Sequence, residues 1–236
     1  MQYIKKGNTQ PADWEVWFTK ATGERSYDYD KDRGAMRDLL KAREFLIKEQ
    51  NGLCAYCQKK IDLHTSSIEH VFPKTSSKVL STNYHNLVAS CTQPPGIDAR
   101  EIHCDPKKEH HMIVPIMLSI DSECKEIGGI FQVNKYFRAS ADGSISTKSG
   151  KTDGIDQVFI EVLNLNSEAL KRKREKYLDG IIAVLDPGLS PVQKRIILIN
   201  KIRILLLHLS HEYREYLLIY CIYKVRSLDQ KIKALK

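Results

Sequence analysis

The sequence predicts an α+β protein in which a small metal-stabilised core is embedded in a mostly helical chain. The stretch from Leu53 to about Lys108 is rich in Ser, Thr, Asn and Pro, a composition that cannot form a large hydrophobic core alone. The same stretch contains Cys54, Cys57, Cys91 and Cys104. A bound metal would supply the missing stability. Apolar residues at helical spacing flank this stretch on both sides.

The first predicted helix runs from about Asp32 through Gln50, where apolar residues form a stripe between charged ones. Asn51 and Gly52 end this helix, because Gly favours the left-handed conformation just past a helix. The chain then turns directly into Cys54. We therefore expect the helix to support the cysteine segment from behind.

Beyond the cysteines, the pattern predicts a strand pair followed by helices. Short apolar runs from Ile113 to Val133 and the turn at Gly143-Ser144 indicate the strand pair. Helices are expected over Ile155–Leu163, Ser167–Leu185 and Pro191–Ser227, with Ser167 and Ser190 as N-caps. The chain is thus divided into an N-terminal segment with its helix (1–52), a metal core (53–112), and a strand pair with a helical C-terminal part (113–236).

Composition favours a polyanionic partner. The 236 residues carry 37 Lys and Arg against 29 Asp and Glu, which leaves a net charge of +8, and such a surplus suits nucleic acid. The first residues do not form the apolar stretch of a signal peptide. The most apolar region, Ile196 to Tyr223, is interrupted by charged residues, so no membrane span is expected, and we interpret it as a buried helix or a pair of helices. We expect a cytoplasmic location, where the 6 cysteines bind metal or are buried thiols rather than disulfides.

The spacing Cys54-x-x-Cys57 lets a tight turn place two sulfur atoms on one tetrahedral metal, and thiolate ligands select zinc. Cys91 and Cys104 supply the second pair for a structural zinc site. His103 competes with Cys104 as the fourth ligand, because imidazole also binds zinc. Four buried free thiols are the alternative. Cys124 and Cys221 lie outside this cluster and are interpreted as core cysteines.

Glu69 and His70 form an acid-His pair between the cysteines. Phosphodiester hydrolysis needs a base that deprotonates water and a divalent cation that stabilises the phosphate charge. Adjacent side chains on a strand point to opposite faces, so one site can use both only where the strand twists, bends or ends. Pro73 favours an ending. The alternative is a surface glutamate beside a half-buried histidine.

The order Cys-x-x-Cys, Glu-His-x-x-Pro-Lys, Asn-Leu-x-x-x-Cys and Cys-Asp-x-x-Lys resembles an HNH endonuclease of the ββα-metal type over roughly Leu53 to His110. The resemblance implies that His70 is the general base and that Glu69 and Asp105 hold a catalytic Mg²⁺ or Mn²⁺. It also implies that Asn86 steadies the loop and the base. The sequence departs from the family where Asp105 replaces the more frequent Asn or His, and where Glu69 replaces Asp.

The flanking segments resemble PtuB-type HNH proteins. The matching features are a Trp-rich N-terminal segment, a helix that enters Cys-x-Tyr-Cys, and the later run Val162 to Asn166 followed by Leu170 and Arg174. The resemblance implies an effector of Septu or retron anti-phage defence. Its partners would be a PtuA-like ABC-type ATPase and, in a retron, a reverse transcriptase with its branched DNA.

Basic residues of the cysteine segment suit a phosphate track, and we assign nucleic-acid binding to Lys74, Arg100, Lys107 and Lys108. A solvated rim is the alternative. The sequence thus predicts a metal-dependent endonuclease acting on DNA. Two other functions stay open: an RNA-cleaving toxin on the same core, since nothing here separates the two nucleic acids, and a non-catalytic zinc-binding adaptor for nucleic acid.

Overall fold

The computed structural model describes residues 4, 6–7, 9–20, 22–24, 26, 28–34, 36, 38–75, 77–111, 137–147 and 160–234. Within these ranges the protein is a mixed α and β structure with small antiparallel sheets. In chain order the elements used below are α1 (Trp14–Trp17), α2 (Tyr29–Asp32), α3 (Leu39–Glu49), β1 (Ser66–His70), β2 (Leu87–Cys91), α4 (Asp105–Lys108), β3 (Phe137–Ala139), β4 (Ile145–Thr147), α5 (Glu168–Ile182), α6 (Pro191–Leu207) and α7 (Arg214–Ala234).

The predicted helix from Asp32 to Gln50 is wrong at its start. Helix α2 ends at Asp32 and α3 begins only at Leu39. Between them Met36 is buried and forms an isolated β-bridge with Lys20, so the backbone leaves the helical path. The predicted end is confirmed, since Asn51 and Gly52 have positive φ angles of 57° and 73°.

Strands β1 and β2 form an antiparallel pair in which Ser66 lies opposite Cys91 and His70 opposite Leu87. Every residue of β2 is buried. The side chain of Gln50, just past α3, donates to the carbonyl of Ala89 at 2.8 Å and accepts from its N–H at 2.7 Å. This pair of hydrogen bonds fixes α3 against the outer edge of β2, so the helix supports the cysteine segment as the sequence predicts.

The N-terminal tryptophans pack into the core. Trp14 is fully buried, its ring lies 5.8 Å from that of Trp17, and its indole N–H donates to the carbonyl of Thr82 at 3.0 Å. The rings of Phe45 and Tyr84 lie against Trp14 at centroid distances of 6.3 and 5.2 Å. This aromatic cluster holds the N-terminal segment against α3 and the loop before β2.

In the C-terminal part, β3 and β4 form a strand pair around the predicted turn at Gly143-Ser144. The other predicted strand residues, Ile113 to Val133, lie outside the described residues, as do Cys124 and most of the segment that begins at Ile155. Ser167 occupies the N-cap position of helix α5 as expected, but its hydroxyl makes no capping hydrogen bond. Ser190 caps α6 with a full capping box and Pro191 takes the first helical position.

The apolar region from Ile196 to Tyr223 belongs to a pair of helices, α6 and α7, which is one of the two alternatives that the sequence left open. His208 and His211 lie in the connection between these two helices, and His208 is exposed. Cys221 is buried in α7, as expected for a core cysteine. No helix in the described part of the chain is both long enough and apolar enough to cross a membrane.

Candidate functional site

The segment 54–58 forms a tight knuckle. After the left-handed Asn51 and Gly52, Leu53 forms a bridge with Lys60. Cys54 donates its N–H to the carbonyl of Lys59 at 2.9 Å, and Gln58 donates to the carbonyl of Cys54 at 3.1 Å. Gln58 itself has a positive φ of 66°. The turn therefore presents the sulfur atoms of Cys54 and Cys57 to one side.

The connection before α7 is fastened to this knuckle. Glu212 accepts from the backbone N–H of Lys60 at 2.8 Å. The side-chain oxygen of Gln58 accepts from the N–H of Glu215 at 3.1 Å, and its carbonyl accepts from the N–H of Tyr213 at 3.3 Å. The knuckle is thus also the point at which the C-terminal helices are attached to the cysteine segment.

The four cysteines of the segment come together in the interior. The sulfur atoms of Cys54 and Cys104 are 3.9 Å apart, those of Cys57 and Cys91 are 3.8 Å apart, and all four lie within 4.8 Å of one another. Zn–S bonds of about 2.3 Å in a tetrahedron require sulfur atoms about 3.8 Å apart. The cluster is buried and could hold a structural metal ion such as zinc.

The sequence left open whether His103 or Cys104 completes this cluster. The structure places the sulfur of Cys104 in it, on a backbone with a φ of 62°. The His103 ring lies beside Cys57 and its Nδ1 is 2.8 Å from the carbonyl of Glu101. His103 thus borders the cluster, which already has a sulfur in each of its four positions.

Glu69 and His70 end strand β1, and both are almost fully buried. The carboxylate of Glu69 accepts hydrogen bonds from the hydroxyl of Tyr56 at 2.9 Å, the ammonium of Lys108 at 2.7 Å and the N–H of His70 at 2.8 Å. These donors come from the knuckle, α4 and the strand end. The position of the carboxylate is therefore fixed from three directions.

Asp105 reaches the same place from α4, which begins directly after Cys104. One of its carboxylate oxygens accepts from the hydroxyl of Ser67 at 3.1 Å. Burial and the nearby Asp105 carboxylate together raise the pKa of Glu69 to about 8. A buried carboxylate thus lies beside a half-buried one at the pocket, an arrangement that a divalent cation with oxygen ligands would stabilise.

The imidazole of His70 is held in one orientation. Its Nε2 lies 2.9 Å from the carbonyl of Ser81, and its ring packs edge-on against Tyr29 at 4.8 Å. A carbonyl only accepts, so Nε2 carries the proton and Nδ1 keeps its lone pair. Burial lowers the pKa of His70 to about 4, which leaves the ring neutral at pH 7.

Asn86 lies just before β2 and fastens the loop that follows β1. Its side-chain oxygen accepts from the N–H of Phe72 at 2.7 Å, and its amide donates to the carbonyls of Phe72 and Leu80, each at 3.0 Å. Leu80 directly precedes Ser81, whose carbonyl contacts His70. Asn86 therefore acts on the histidine through the loop and does not touch its ring.

A pocket of about 330 Å³ opens onto these groups, and Glu69, His70 and Asp105 contribute to its wall. Its rim includes Arg33 and Lys74, which flank the ring of Tyr29 at 5.8 and 5.7 Å. Lys74 also forms an ion pair with Asp30. The acid-His pair and Asp105 thus meet at a surface with basic residues around it.

Of the four basic residues assigned to nucleic acid, Lys74 and Lys108 line the pocket, whereas Arg100 and Lys107 do not. Arg100 is exposed and paired with Asp98, and Lys107 is exposed on α4. Lys108 is only 1% exposed and points into the site, where its ammonium contacts Glu69 and donates to the carbonyl of His70 at 2.7 Å. Its position differs from that of a surface phosphate ligand because α4 turns this side chain inward.

Sequence reasoning missed several residues of the site: Tyr29, Arg33, Tyr56, Ser67 and Ser81. Tyr56 carried a signal, since it lies between Cys54 and Cys57, where a buried phenol near a metal knuckle finds a polar partner. Tyr29 and Arg33 carried none, because they reach the site only through the folding of the N-terminal segment. Ser67 and Ser81 are common residues in loops and strands.

No family model matches the chain. One curated relative is "Retron Vc95 putative HNH endonuclease" from Vibrio cholerae serotype O1 biovar El Tor, which is 27% identical over 149 residues. The match covers 61% of this chain and 66% of the relative, just under two thirds of that protein. The chain is therefore similar, over more than half its length, to a protein that is named as a retron nuclease.

Proposed function

We propose that this protein is a metal-dependent HNH endonuclease that hydrolyses phosphodiester bonds of DNA. The observation that carries the proposal is the convergence of Glu69, His70 and Asp105 on one pocket, with the Nδ1 of a neutral His70 available as a base. The named activity of the Vibrio cholerae relative supports the same reaction. A pure binding module has no chemical need for this combination.

His70 is proposed to take a proton from the attacking water through Nδ1. Its Nε2 hydrogen bond to the carbonyl of Ser81 sets the tautomer and the direction of the lone pair. When this bond stabilises the imidazolium that forms, the proton can stay on His70 until the leaving oxygen has departed. Asn86 positions the loop that carries Ser81.

Glu69 and Asp105 fit a divalent cation, since the two carboxylates interact directly and burial raises the pKa of Glu69. When bound there, Mg²⁺ or Mn²⁺ would neutralise phosphate charge and stabilise the leaving oxygen. Glu69 is oriented for this role by Tyr56 and the N–H of His70. Ser67 orients Asp105 in the same way.

We propose that zinc on Cys54, Cys57, Cys91 and Cys104 stabilises a ββα-metal core. The order of β1, β2 and α4 along the chain supports this, because α4 starts at a cluster cysteine and carries Asp105. The core would correspond to residues 53–112. Segment 1–52 would add Tyr29 and Arg33 to the site, and segment 113–236 would buttress the knuckle.

The nucleic acid is proposed to approach over the basic rim of the pocket. Lys74 and Arg33 lie at its mouth, and Lys107 is exposed on the helix that carries Asp105. Arg100 would contact phosphate further along. Such contacts bind any sequence, since phosphates are the same at every step.

We further propose that the protein is a PtuB-like nuclease effector of an anti-phage defence system of the Septu or retron type. The retron in the name of the Vibrio cholerae relative supports this setting. The partners would then be a PtuA-like ABC-type ATPase and a reverse transcriptase with its branched DNA. Co-purification with each candidate partner would test this part independently of cleavage.

The direct test is cleavage of labelled DNA and RNA in Mg²⁺ or Mn²⁺, alone and with the ATPase. Wild type is expected to cut DNA, and His70→Ala to lose about 10²–10⁴-fold in rate, the usual contribution of a general base. His208→Ala replaces an exposed histidine in the α6–α7 connection and is expected to cut normally. Cutting of RNA alone would identify the toxin, and no cutting under any condition, with zinc bound, would identify the adaptor.

A further inference from the structure

Lys108 is a buried cation inside the site that the proposed function leaves without a task. It is 1% exposed, and its ammonium lies 2.7 Å from Glu69 and 2.7 Å from the carbonyl of His70. Removing both charges of such a pair from water costs free energy that their attraction can fail to offset, so a buried ion pair is weak evidence of a purely stabilising role. Its side chain forms part of the pocket wall beside Glu69 and Asp105.

The fixed charges of this wall can be summed. A bound cation requires both carboxylates to be ionised, so in that state Glu69 and Asp105 contribute −2 and Lys108 contributes +1, which leaves −1 before the cation is counted. A divalent cation changes this sum to +1, the sign that attracts a phosphodiester. Without Lys108 the same site would start at −2 and reach only 0 with the cation. The affinity of oxygen sites for divalent cations rises with the count of their negative ligands.

We propose that Lys108 is a positioning residue that weakens divalent-cation binding in the absence of nucleic acid, so that the cation site fills only together with the scissile phosphate. This inference rests on the proposed function. The cation and the phosphate then each bind weakly alone and tightly together. Such coupling is reciprocal: the factor by which DNA improves cation affinity equals the factor by which the cation improves DNA affinity.

Other charges near the pocket do not account for this effect. Arg33 is exposed on the rim, and Lys74 is half-buried there and paired with Asp30. Solvent screens them from the carboxylates more than it screens Lys108. In the described part of the chain, Lys108 is the cation that contacts a site carboxylate directly.

The test is Mn²⁺ titration by electron paramagnetic resonance, with and without a short DNA duplex, on full-length protein in a His70→Ala background that does not cut. With Lys108 present, DNA is expected to tighten Mn²⁺ binding tenfold or more. Lys108→Met is nearly isosteric and uncharged, and it is expected to bind Mn²⁺ alone at least tenfold more tightly, so that its cation site fills without DNA. Lys108→Arg keeps the charge and is expected to retain the weak binding.

A purely structural lysine gives the opposite sign, because a disturbed site binds Mn²⁺ more weakly. Equal or weaker Mn²⁺ binding by a Lys108→Met protein that retains zinc would overturn the inference. The absence of any effect of DNA on Mn²⁺ affinity with Lys108 present overturns it too, and this measurement does not depend on whether the variant folds. The proposed function is tested separately by cleavage with His70 intact, so a failure of either one is distinguishable.

Discussion

The hydroxyl of Tyr56 donates a hydrogen bond of 2.9 Å to Oε1 of Glu69. Tyr56 lies between Cys54 and Cys57, so one side chain joins the cysteine cluster to the acid of the candidate active site. Tyr56 is 1% exposed and Glu69 is 4% exposed. A single rigid phenol ring thus connects the cysteine cluster with the carboxylate of Glu69.

We expect Tyr56→Phe to lower the cleavage rate by roughly tenfold, since a hydrogen bond to a charged group contributes about 1.5–3 kcal/mol. The ring stays, so zinc content and thermal stability should change little. Single-turnover cleavage and zinc analysis measure the two effects. Tyr177→Phe is the matched control, because it removes a hydroxyl that contacts Glu212 on the exposed side of α5. Equal rates for Tyr56→Phe and wild type would contradict the orienting role.

Divalent-cation binding should depend on pH through Glu69, whose pKa is raised to about 8 by burial and by Asp105. Below pH 8 the metal-free site holds a proton that the cation must displace, so affinity should rise up to about tenfold per pH unit and level off above 8. Mn²⁺ titrations at pH values spaced by roughly one unit between pH 6 and pH 9 measure this slope. Affinity that is constant across this range would contradict the assignment.

The pKa values of Glu69 and His70 also predict how the cleavage rate changes at acidic pH. His70 is neutral well below pH 7 because burial lowers its pKa to about 4. At saturating Mn²⁺ the proton on Glu69 is displaced, so cleavage should persist to about pH 5. At low Mn²⁺ the rate should fall as pH drops below 8. Profiles that coincide at high and low Mn²⁺ would show that Glu69 does not bind the cation.

Cys91→Ser should abolish zinc binding and cooperative unfolding, since a structural zinc contributes about 10 kcal/mol or more to folding. Bound zinc and a thermal melt measure the outcome. Cys221→Ser is the control, because Cys221 is equally buried but lies in α7 away from the cluster. This variant should retain zinc, and its buried hydroxyl group should lower the free energy of unfolding by about 1–3 kcal/mol. A stable, zinc-free Cys91→Ser protein would favour the free-thiol alternative.

Asn86→Asp should lower both stability and activity. The carboxylate still accepts from the N–H of Phe72, but the two donors to the carbonyls of Phe72 and Leu80 are lost. We expect the free energy of unfolding to fall by about 2–4 kcal/mol, because two buried carbonyl acceptors are left facing a buried charge. Asn83→Asp is the control, since its side chain only accepts, from the N–H of His85 at 2.9 Å. Denaturant melts of both variants compare the two losses.

The groups that lie close in sequence to a motif were predictable. The cysteine cluster follows from a spacing set by ligand chemistry, and the end of α3 follows from a local glycine preference. The proximity of Glu69 and Asp105 was implied by the resemblance to HNH endonucleases. The start of α3 was not predictable, because Met36 leaves the helix to form a bridge with Lys20. That contact is tertiary and overrides helical periodicity.

The inward position of Lys108 could not be predicted from the sequence either. A lysine after a proline and another lysine has the pattern of an exposed turn. Its direction depends on the positive φ angles of Cys104 and Glu109, 62° and 50°, which bracket α4 and rotate it towards Glu69. Non-glycine residues in this conformation are not encoded by a recognisable local signal. The role of Tyr29 was hidden for a related reason, since α2 meets His70 only after folding.

The attachment of Glu212 and Glu215 to the knuckle has a consequence for synthesis of the chain. These hydrogen bonds join residues 152 and 157 positions apart. The ribosome therefore releases the cysteine segment long before the residues that buttress it exist. Closing so long a loop is slow and entropically costly. Zinc captured by the nascent knuckle would be held without its outer support until α7 emerges, so a truncated translation product should exchange its metal more readily than the complete chain.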